Sequence, residues 1–169
     1  SVQATGMHVL QIDGQFVMWY GAYNGTHTLG IAISPDGVNW TKPQLDGFPC
    51  LGVEKTNVLL GLEDMGKCGY ASVIVHPDAE PDRRYEMFLH AYPPYRNPSK
   101  HARGFPVRPE HADAHPSGLW RYVSPDGIHW TPLEGPLGLK TADSIYVVKE
   151  PDGPYVAYHK VGHPAPPGA

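Results

Sequence analysis

A seven-residue stretch that occurs twice constrains this chain more than any other feature. Residues 34–40 read Ser-Pro-Asp-Gly-Val-Asn-Trp and residues 124–130 read Ser-Pro-Asp-Gly-Ile-His-Trp, so five of the seven positions are identical. Pro presets φ at the second position of a turn, Asp bonds its own downstream backbone, and Gly tolerates positive φ. The Trp stands three residues after the Gly, where its indole can fold back over the turn. The repeat therefore predicts a tryptophan-capped β-hairpin that is used twice.

Short alternating apolar segments around these turns predict an all-β fold. Each repeat closes a meander of four antiparallel strands, and a third meander begins further along the chain. We expect strands at 7–12, 16–23, 28–33 and through Trp40, at 71–76, 85–92, 118–123 and 128–132, and at 144–149 and 155–159. The Asp-Gly pairs at 13–14 and 152–153 and the Asn-Gly pair at 24–25 are turn signals. Such a meander is the blade of a β-propeller.

These repeats predict a single partial β-propeller domain over residues 1–169, with about two and a half blades. The expected parts are blade one (7–41), an inter-blade segment (42–70), blade two (71–132) with an insertion (93–117), the start of blade three (141–160) and a Pro-rich tail (161–169). A closed propeller typically has at least about four blades. We expect either a piece of a larger ring with missing C-terminal blades or a homo-oligomer that completes the ring, because an open array leaves unprotected strand edges.

Composition and charge narrow the class of partner. The formal net charge is −4, and no basic patch interleaved with aromatic residues is present, so we expect no nucleic-acid partner. No apolar run approaches the roughly 18 residues of a membrane span, so we expect no membrane partner. A mildly acidic, turn-rich and aromatic-rich surface suits a carbohydrate ligand, and we predict no cofactor.

The two cysteines and the first residues bear on the cellular compartment. Cys50 and Cys68 both lie between the repeats, and either a disulfide or two buried free thiols is consistent with that placement. The chain starts at Ser1 and has no signal-type apolar run, so we expect a mature or trimmed product. We expect an extracellular or periplasmic protein.

Several segments carry a resemblance to a known family: residues 34–43, 55–60, 122–132, 141–145 and 154–158. In these segments the chain resembles the five-bladed β-propeller glycoside hydrolases of the β-fructosidase and arabinanase type, families 32 and 43. It is most similar to bacterial proteins that resemble the N-terminal domain of family 32.

The resemblance implies a substrate pocket at the axial mouth of the ring, built by the starts of the innermost strands, with carboxylates as nucleophile or base and as acid. Hydrolysis of a glycoside needs two carboxyl groups at a fixed separation. Among the innermost-strand starts of this chain, only the third carries a carboxylate at the family-like place, Asp143. We predict that Asp143 is catalytic; the alternative is a turn residue that binds local amides.

Four further residues are candidates for substrate binding. His8 and Ser72 stand at the equivalent starts in blades one and two, and Asn57 lies in a family-like segment that could return toward the axis. Each could instead bond only to its protein neighbours. His115 is the fourth candidate, in the insertion within blade two.

The same insertion offers a weak metal-binding pattern. On an extended segment His111, Asp113 and His115 share one face, which suits Zn²⁺ or a similar ion. The segment is flanked by prolines and no fourth ligand is identifiable. A polar loop, or a loop that lines the pocket and touches sugar, is the preferred interpretation, so no metal site is predicted.

Three acidic residues are assigned structural roles. Asp36 and Asp126 stand in the repeated turns, so we interpret them as turn formers on the blade periphery rather than as a catalytic pair. Glu86 stands in the second strand of blade two at the position that Val17 occupies in blade one, where an apolar residue is expected. We predict that Glu86 forms an ion pair with an arginine, the candidates being Arg83, Arg84 and Arg121.

Three functions are compatible with the sequence. The first is a glycoside hydrolase that acts on an oligo- or polysaccharide, with Asp143 as one of its acids. The second is a non-catalytic carbohydrate-binding propeller, and the third is a partial propeller completed by oligomerisation. A second carboxyl group roughly 5–10 Å from Asp143 would favour hydrolysis.

Overall fold

The computed structural model describes residues 3–23, 27–46, 52–60, 67–92, 118–133, 135–139 and 144–160. Its regular structure is almost entirely β, and the sheets are antiparallel. No helix in these ranges is long and apolar enough to span a membrane. The predicted all-β fold, made of four-stranded antiparallel sheets consistent with partial propeller blades, is confirmed.

The first sheet contains four strands in the order of the chain. They are β1 (Gln3–Ile12), β2 (Gln15–Tyr23), β3 (His27–Ser34) and β4 (Val58–Leu60). The turn between β1 and β2 has positive φ at Asp13 (50°) and at Gly14 (83°), which matches the right-handed twist of a two-residue hairpin. The predicted turn at 24–25 lies outside the described residues.

The second sheet repeats this order, and the third shows its first two strands. The second sheet contains β5 (Lys67–Val75), β6 (Tyr85–Tyr92), β7 (Gly118–Ser124) and β8 (Thr131–Pro132), with a short 3₁₀ turn (Pro81–Arg83) before β6. The third contains β9 (Ile145–Lys149) and β10 (Tyr155–His159).

The outer strand of the first sheet differs from the sequence prediction. A fourth strand through Trp40 was expected, but the strand beside β3 is β4, Val58–Leu60. After the turn only Thr41 pairs with β3, through one isolated bridge to Ile33. Part of the expected inter-blade segment 42–70 therefore belongs to the first sheet.

Two apolar clusters hold the sheets together. The larger lies between the first and second sheets and includes Trp19, Leu29, Met87 and Tyr122. The smaller joins the second and third sheets through Phe88, Leu119, Ile145 and Val147. The innermost strands β1, β5 and β9 are successive neighbours, so sheets packed face to face bring the innermost strands side by side.

The two repeated turns have the expected internal structure. Asp36 Oδ1 accepts hydrogen bonds from the amides of Val38 (2.8 Å) and Asn39 (2.7 Å), and Trp40 Nε1 donates to the Gly37 carbonyl at 3.1 Å. The second turn repeats these bonds, with Trp130 Nε1 donating to the Gly127 carbonyl at 3.1 Å. The predicted turn chemistry is confirmed.

One contact distinguishes the second turn from the first. The Gly127 carbonyl also accepts a hydrogen bond from Nε1 of Trp19, a buried residue of the first sheet, at 2.9 Å. Two indoles, one from each sheet, thus share a single backbone oxygen. The second turn both closes its own sheet and fastens it to the preceding one.

Candidate functional site

A pocket of about 380 Å³ lies beside the middle of β1 and β5 and the start of β9. Gly6 and Met7 line it from β1, and Ala71 lines it from β5. The third sheet supplies Ser144, Tyr146, Tyr158, His159 and Lys160. The sequence places the expected substrate site near these residues, and substrate binding there stays a prediction.

Asp143, the predicted catalytic residue, lies outside the described residues. It directly precedes Ser144 in the chain. Ser144 lines the pocket, and its carbonyl accepts a hydrogen bond from the Lys160 amide at 3.0 Å. The catalytic role of Asp143 stays a prediction.

His8 is fixed between the first and second sheets. Its ring is buried (8% exposed), and Nδ1 accepts a hydrogen bond from the Val73 amide at 2.6 Å. Burial lowers the pKa of His8 below its usual value. The ring is therefore neutral near pH 7, and its proton is on Nε2, because Nδ1 acts as an acceptor.

Ser72 makes the corresponding contact between the second and third sheets. Its side chain is fully buried, and Oγ accepts a hydrogen bond from the Val147 amide at 2.9 Å. In both cases a side chain on the innermost strand of one sheet accepts a hydrogen bond from a backbone amide on the innermost strand of the next sheet. Contact of His8 or Ser72 with a sugar stays a prediction.

The strand register corrects one sequence alignment. His8 pairs with Trp19 and Ser72 with Phe88, and the same place in the third sheet is occupied by Tyr146, which pairs with Tyr158. The sequence pattern aligned Asp143 with His8 and Ser72, but Asp143 stands three residues before Tyr146 in the chain.

Asn57 lies away from this pocket. Its Nδ2 donates to the Tyr20 hydroxyl at 2.5 Å and to the Ile31 carbonyl at 2.8 Å. These partners place Asn57 beside the outer strand of the first sheet. Neither His8 nor Ser72 lines the smaller pocket: His8 lines the larger cavity described below, and Ser72 is buried between the second and third sheets. Substrate contact by Asn57 stays a prediction.

The insertion residues His111, Asp113 and His115 lie outside the described residues. Their roles in metal or sugar binding stay predictions. Within the ranges that the structure describes, no group of three or more His, Cys, Asp or Glu side chains is arranged to hold a metal ion.

The two turn aspartates, Asp36 and Asp126, accept hydrogen bonds within their own turns. The backbone amide and side chain of Asn39, followed by Val38 and Ser34, lower the pKa of Asp36. Burial raises the pKa of Asp126, but hydrogen bonds from the amide and ring of His129 and from other turn groups outweigh burial and lower it to about 2. Both carboxylates serve as acceptors for turn amides, as the sequence predicted.

Glu86 is the most deeply buried carboxylate among the residues that the structure describes. It is 1% exposed, and Arg121 Nε donates to its Oε1. Its Oε2 accepts from the Tyr155 hydroxyl at 2.6 Å and lies 2.8 Å from His76 Nε2. The predicted ion pair is confirmed with Arg121 as the partner, and the buried carboxylate joins the second sheet to Tyr155 of the third.

The Glu86 cluster predicts a loss of stability at alkaline pH. Burial, the hydrogen bond to Glu86 and its charge raise the pKa of Tyr155 from 10.0 to about 12. The folded protein therefore retains the phenol proton more tightly than the unfolded chain, so the stabilisation is complete below about pH 10 and is lost toward about pH 12. Urea unfolding across this range should show a shallower decline for Tyr155→Phe than for the wild type. Equal declines would contradict the assignment.

A larger cavity of about 520 Å³ opens at the other ends of the innermost strands. Its lining includes Leu10, Ile12, Val75 and Val148, together with Arg84, which is paired with Asp13 at 3.0 Å. We place the candidate site in the smaller pocket. One of its lining residues, Ser144, directly follows Asp143 in the chain.

No family model matches the chain, and no curated protein matches it. Among solved structures, the chain is similar to a complex of BT0996 and RGII, with 15% identity and a TM-score of 0.53 over 94% of this chain and 48% of that one. It is also similar to a candidate glycoside hydrolase from Bacteroides ovatus, with 18% identity and a TM-score of 0.49 over 78% of this chain and 31% of that one.

A third similar structure is a glycoside hydrolase, with 15% identity and a TM-score of 0.49 over 89% of this chain and 45% of that one. The chain spans less than half the length of each of these structures. At this identity, the similarity to the BT0996 structure shows a shared fold.

Proposed function

We propose that the protein is a glycoside hydrolase-like propeller of the family 32 and 43 type that acts on an oligo- or polysaccharide by carboxylate acid/base chemistry. Asp143 is one of the acids, and the substrate occupies the pocket that residues of β1, β5 and the third sheet line. The observation that carries this proposal is that pocket, whose lining includes Ser144, the residue after Asp143.

The fold supports a sugar as the ligand. The BT0996 structure, whose fold the chain shares, is a carbohydrate complex. The pocket itself exposes two tyrosine side chains, Tyr146 (46%) and Tyr158 (64%). Aromatic rings with a polar tip suit ligands that have both apolar faces and hydroxyl groups.

A non-catalytic carbohydrate-binding module is the second candidate. The observation in its favour is the absence of a carboxylate among the described residues that line the pocket. Hydrolysis requires a second carboxyl group across the scissile bond. The two functions therefore differ in whether Asp143 is needed for turnover.

Replacing Asp143 with Asn is expected to lower turnover by about 10²–10⁴-fold, the usual contribution of a positioned acid or base. The measurement is hydrolysis of a panel of oligosaccharides, with binding of the same panel measured by calorimetry. Asp152→Asn is the matched control, because Asp152 is exposed in the turn between β9 and β10 and its positive φ (54°) is tolerated by Asn.

The two candidate functions give different results in this experiment. Loss of turnover with binding retained supports hydrolysis. Binding without turnover in the wild type supports the binding module. Unchanged turnover in the Asp143→Asn variant would remove Asp143 from the chemistry.

A further inference from the structure

The larger cavity, of about 520 Å³, has mostly apolar walls. It lies beside the C-terminal halves of the innermost strands, and its aliphatic lining includes Leu10, Ile12, Val73, Val75, Val147 and Val148. Its volume is within the range of about 300–1,000 Å³ that is usual for small-molecule sites. Such walls favour an apolar ligand over a sugar, because sugar hydroxyl groups would lose water there without gaining partners.

The charged side chains that line this cavity have partners within the protein. Arg84 Nη2 is 3.0 Å from Asp13 Oδ2. The Lys149 ammonium donates to the carbonyls of Glu150 and Gly153. A charged ligand would have to break one of these contacts or enter without a counter-charge, and both are costly beside apolar walls. The cavity therefore favours an uncharged ligand.

One polar group of the cavity has a hydrogen-bond donor that the protein does not use. His8 lines the cavity and is more than nine-tenths buried, and its Nδ1 accepts the Val73 amide at 2.6 Å. The ring proton is therefore on Nε2, and none of the residues that the structure describes accepts it. Nε2 is not enclosed by protein atoms, so it faces accessible space. A donor in this setting needs an acceptor from a ligand or from water.

An aromatic ring stands beside this donor. The Tyr146 ring lies 5.4 Å from the His8 ring, centroid to centroid, and Tyr146 also lines the cavity. A flat apolar molecule can pack against the tyrosine while an oxygen on its edge reaches His8 Nε2.

We propose that the larger cavity is a second binding site, which takes a small uncharged apolar molecule whose carbonyl oxygen accepts a hydrogen bond from His8 Nε2. The inference goes beyond the proposed function, because neither Asp143 nor a sugar is part of it. Tyr146 is the residue that borders both sites.

The test compares two probes of nearly the same shape. Acetophenone has a carbonyl oxygen, and α-methylstyrene has a methylene group in its place. Titrations followed by NMR should show that acetophenone binds about fivefold more tightly, the contribution of one neutral hydrogen bond. Acetophenone alone should shift the Nε2 resonance of His8, which is identified by its absence from a His8 variant. Equal affinities, or no binding of acetophenone at millimolar concentration, would overturn the inference.

His8→Asn tests the donor. The amide oxygen of Asn can replace Nδ1 as the acceptor for the Val73 amide, but no donor then stands in the place of Nε2. Affinity for acetophenone should fall about fivefold and affinity for α-methylstyrene should stay the same. Unchanged affinity for acetophenone would refute the role of His8.

Val148→Phe tests the cavity without altering His8. The larger side chain takes up space in the cavity and should weaken both probes about tenfold or more. Val38→Phe is the matched control, because Val38 is 78% exposed in the first repeated turn, and it should leave both affinities unchanged. Wild-type affinity in Val148→Phe would show that the probes bind elsewhere and would overturn the inference.

Discussion

Replacing Arg121 with Ile is expected to destabilise the fold by about 3–5 kcal/mol, the usual result of removing one partner of a buried ion pair. Glu86 is 1% exposed, whereas the Arg121 side chain is 39% exposed. Loss of the guanidinium leaves the carboxylate in the interior with only Tyr155 and His76 as partners. Urea unfolding of the variant at neutral pH measures the change in the free energy of unfolding.

The first sheet supplies a matched control for this prediction. By register, Glu86 corresponds to Val17 and Arg121 to Ile31. The double variant Glu86→Val/Arg121→Ile places the residues of the first sheet in the second. It should be more stable than Arg121→Ile alone, because apolar replacement of a whole buried pair is often neutral. A double variant less stable than the single one would contradict this expectation, since it would show that Glu86 stabilises the fold through Tyr155 and His76 even without Arg121.

Replacing Gly127 with Ala should cost about 2–5 kcal/mol, from a left-handed backbone and a clash together. Gly127 has φ of 74°, and a Cβ there would lie 2.9 Å from Cζ2 of Trp19. The buried indole cannot withdraw without losing its hydrogen bond to the Gly127 carbonyl. Thermal or urea unfolding measures the loss.

Gly37→Ala is the control for this effect. Gly37 occupies the same position in the first turn with nearly the same φ, 76°, but a Cβ there would meet only Phe16 at an ordinary 3.6 Å. Its substitution should cost about 1–2 kcal/mol, from backbone conformation alone. The difference between the two variants therefore measures the contact with Trp19. Equal costs would show that the second turn does not fasten the two sheets.

Strands with clear alternation could be placed from the sequence. The expected strand at 85–92 coincides with β6, because its aromatic residues recur in the same order as those of β2. The outer strand of the first sheet could not be placed from the sequence. This strand, Val58–Leu60, is only three residues long, and a long connecting segment separates it from β3. Local periodicity does not show which distant segment completes a sheet.

The site was predictable only in part, for the same reason. A charge in an apolar column indicated that Glu86 needs a partner, but the choice among three arginines depends on the packing of the sheets: Arg84 pairs with Asp13 instead. The amides that His8 and Ser72 satisfy are 65 and 75 residues away. No local pattern marks such a pair, so the two residues could be interpreted only as possible pocket residues.

Three hydrogen bonds between successive sheets run in one direction. Trp19, His8 and Ser72 belong to the earlier sheet of each pair, and each bonds to a backbone group of the later one. At these three contacts the earlier sheet recognises peptide groups of the later sheet and not its side chains. During synthesis, the earlier sheet emerges first with these three side chains already present. In evolution, the later sheet can change its side chains at these three contacts and still offer the same backbone groups to its predecessor.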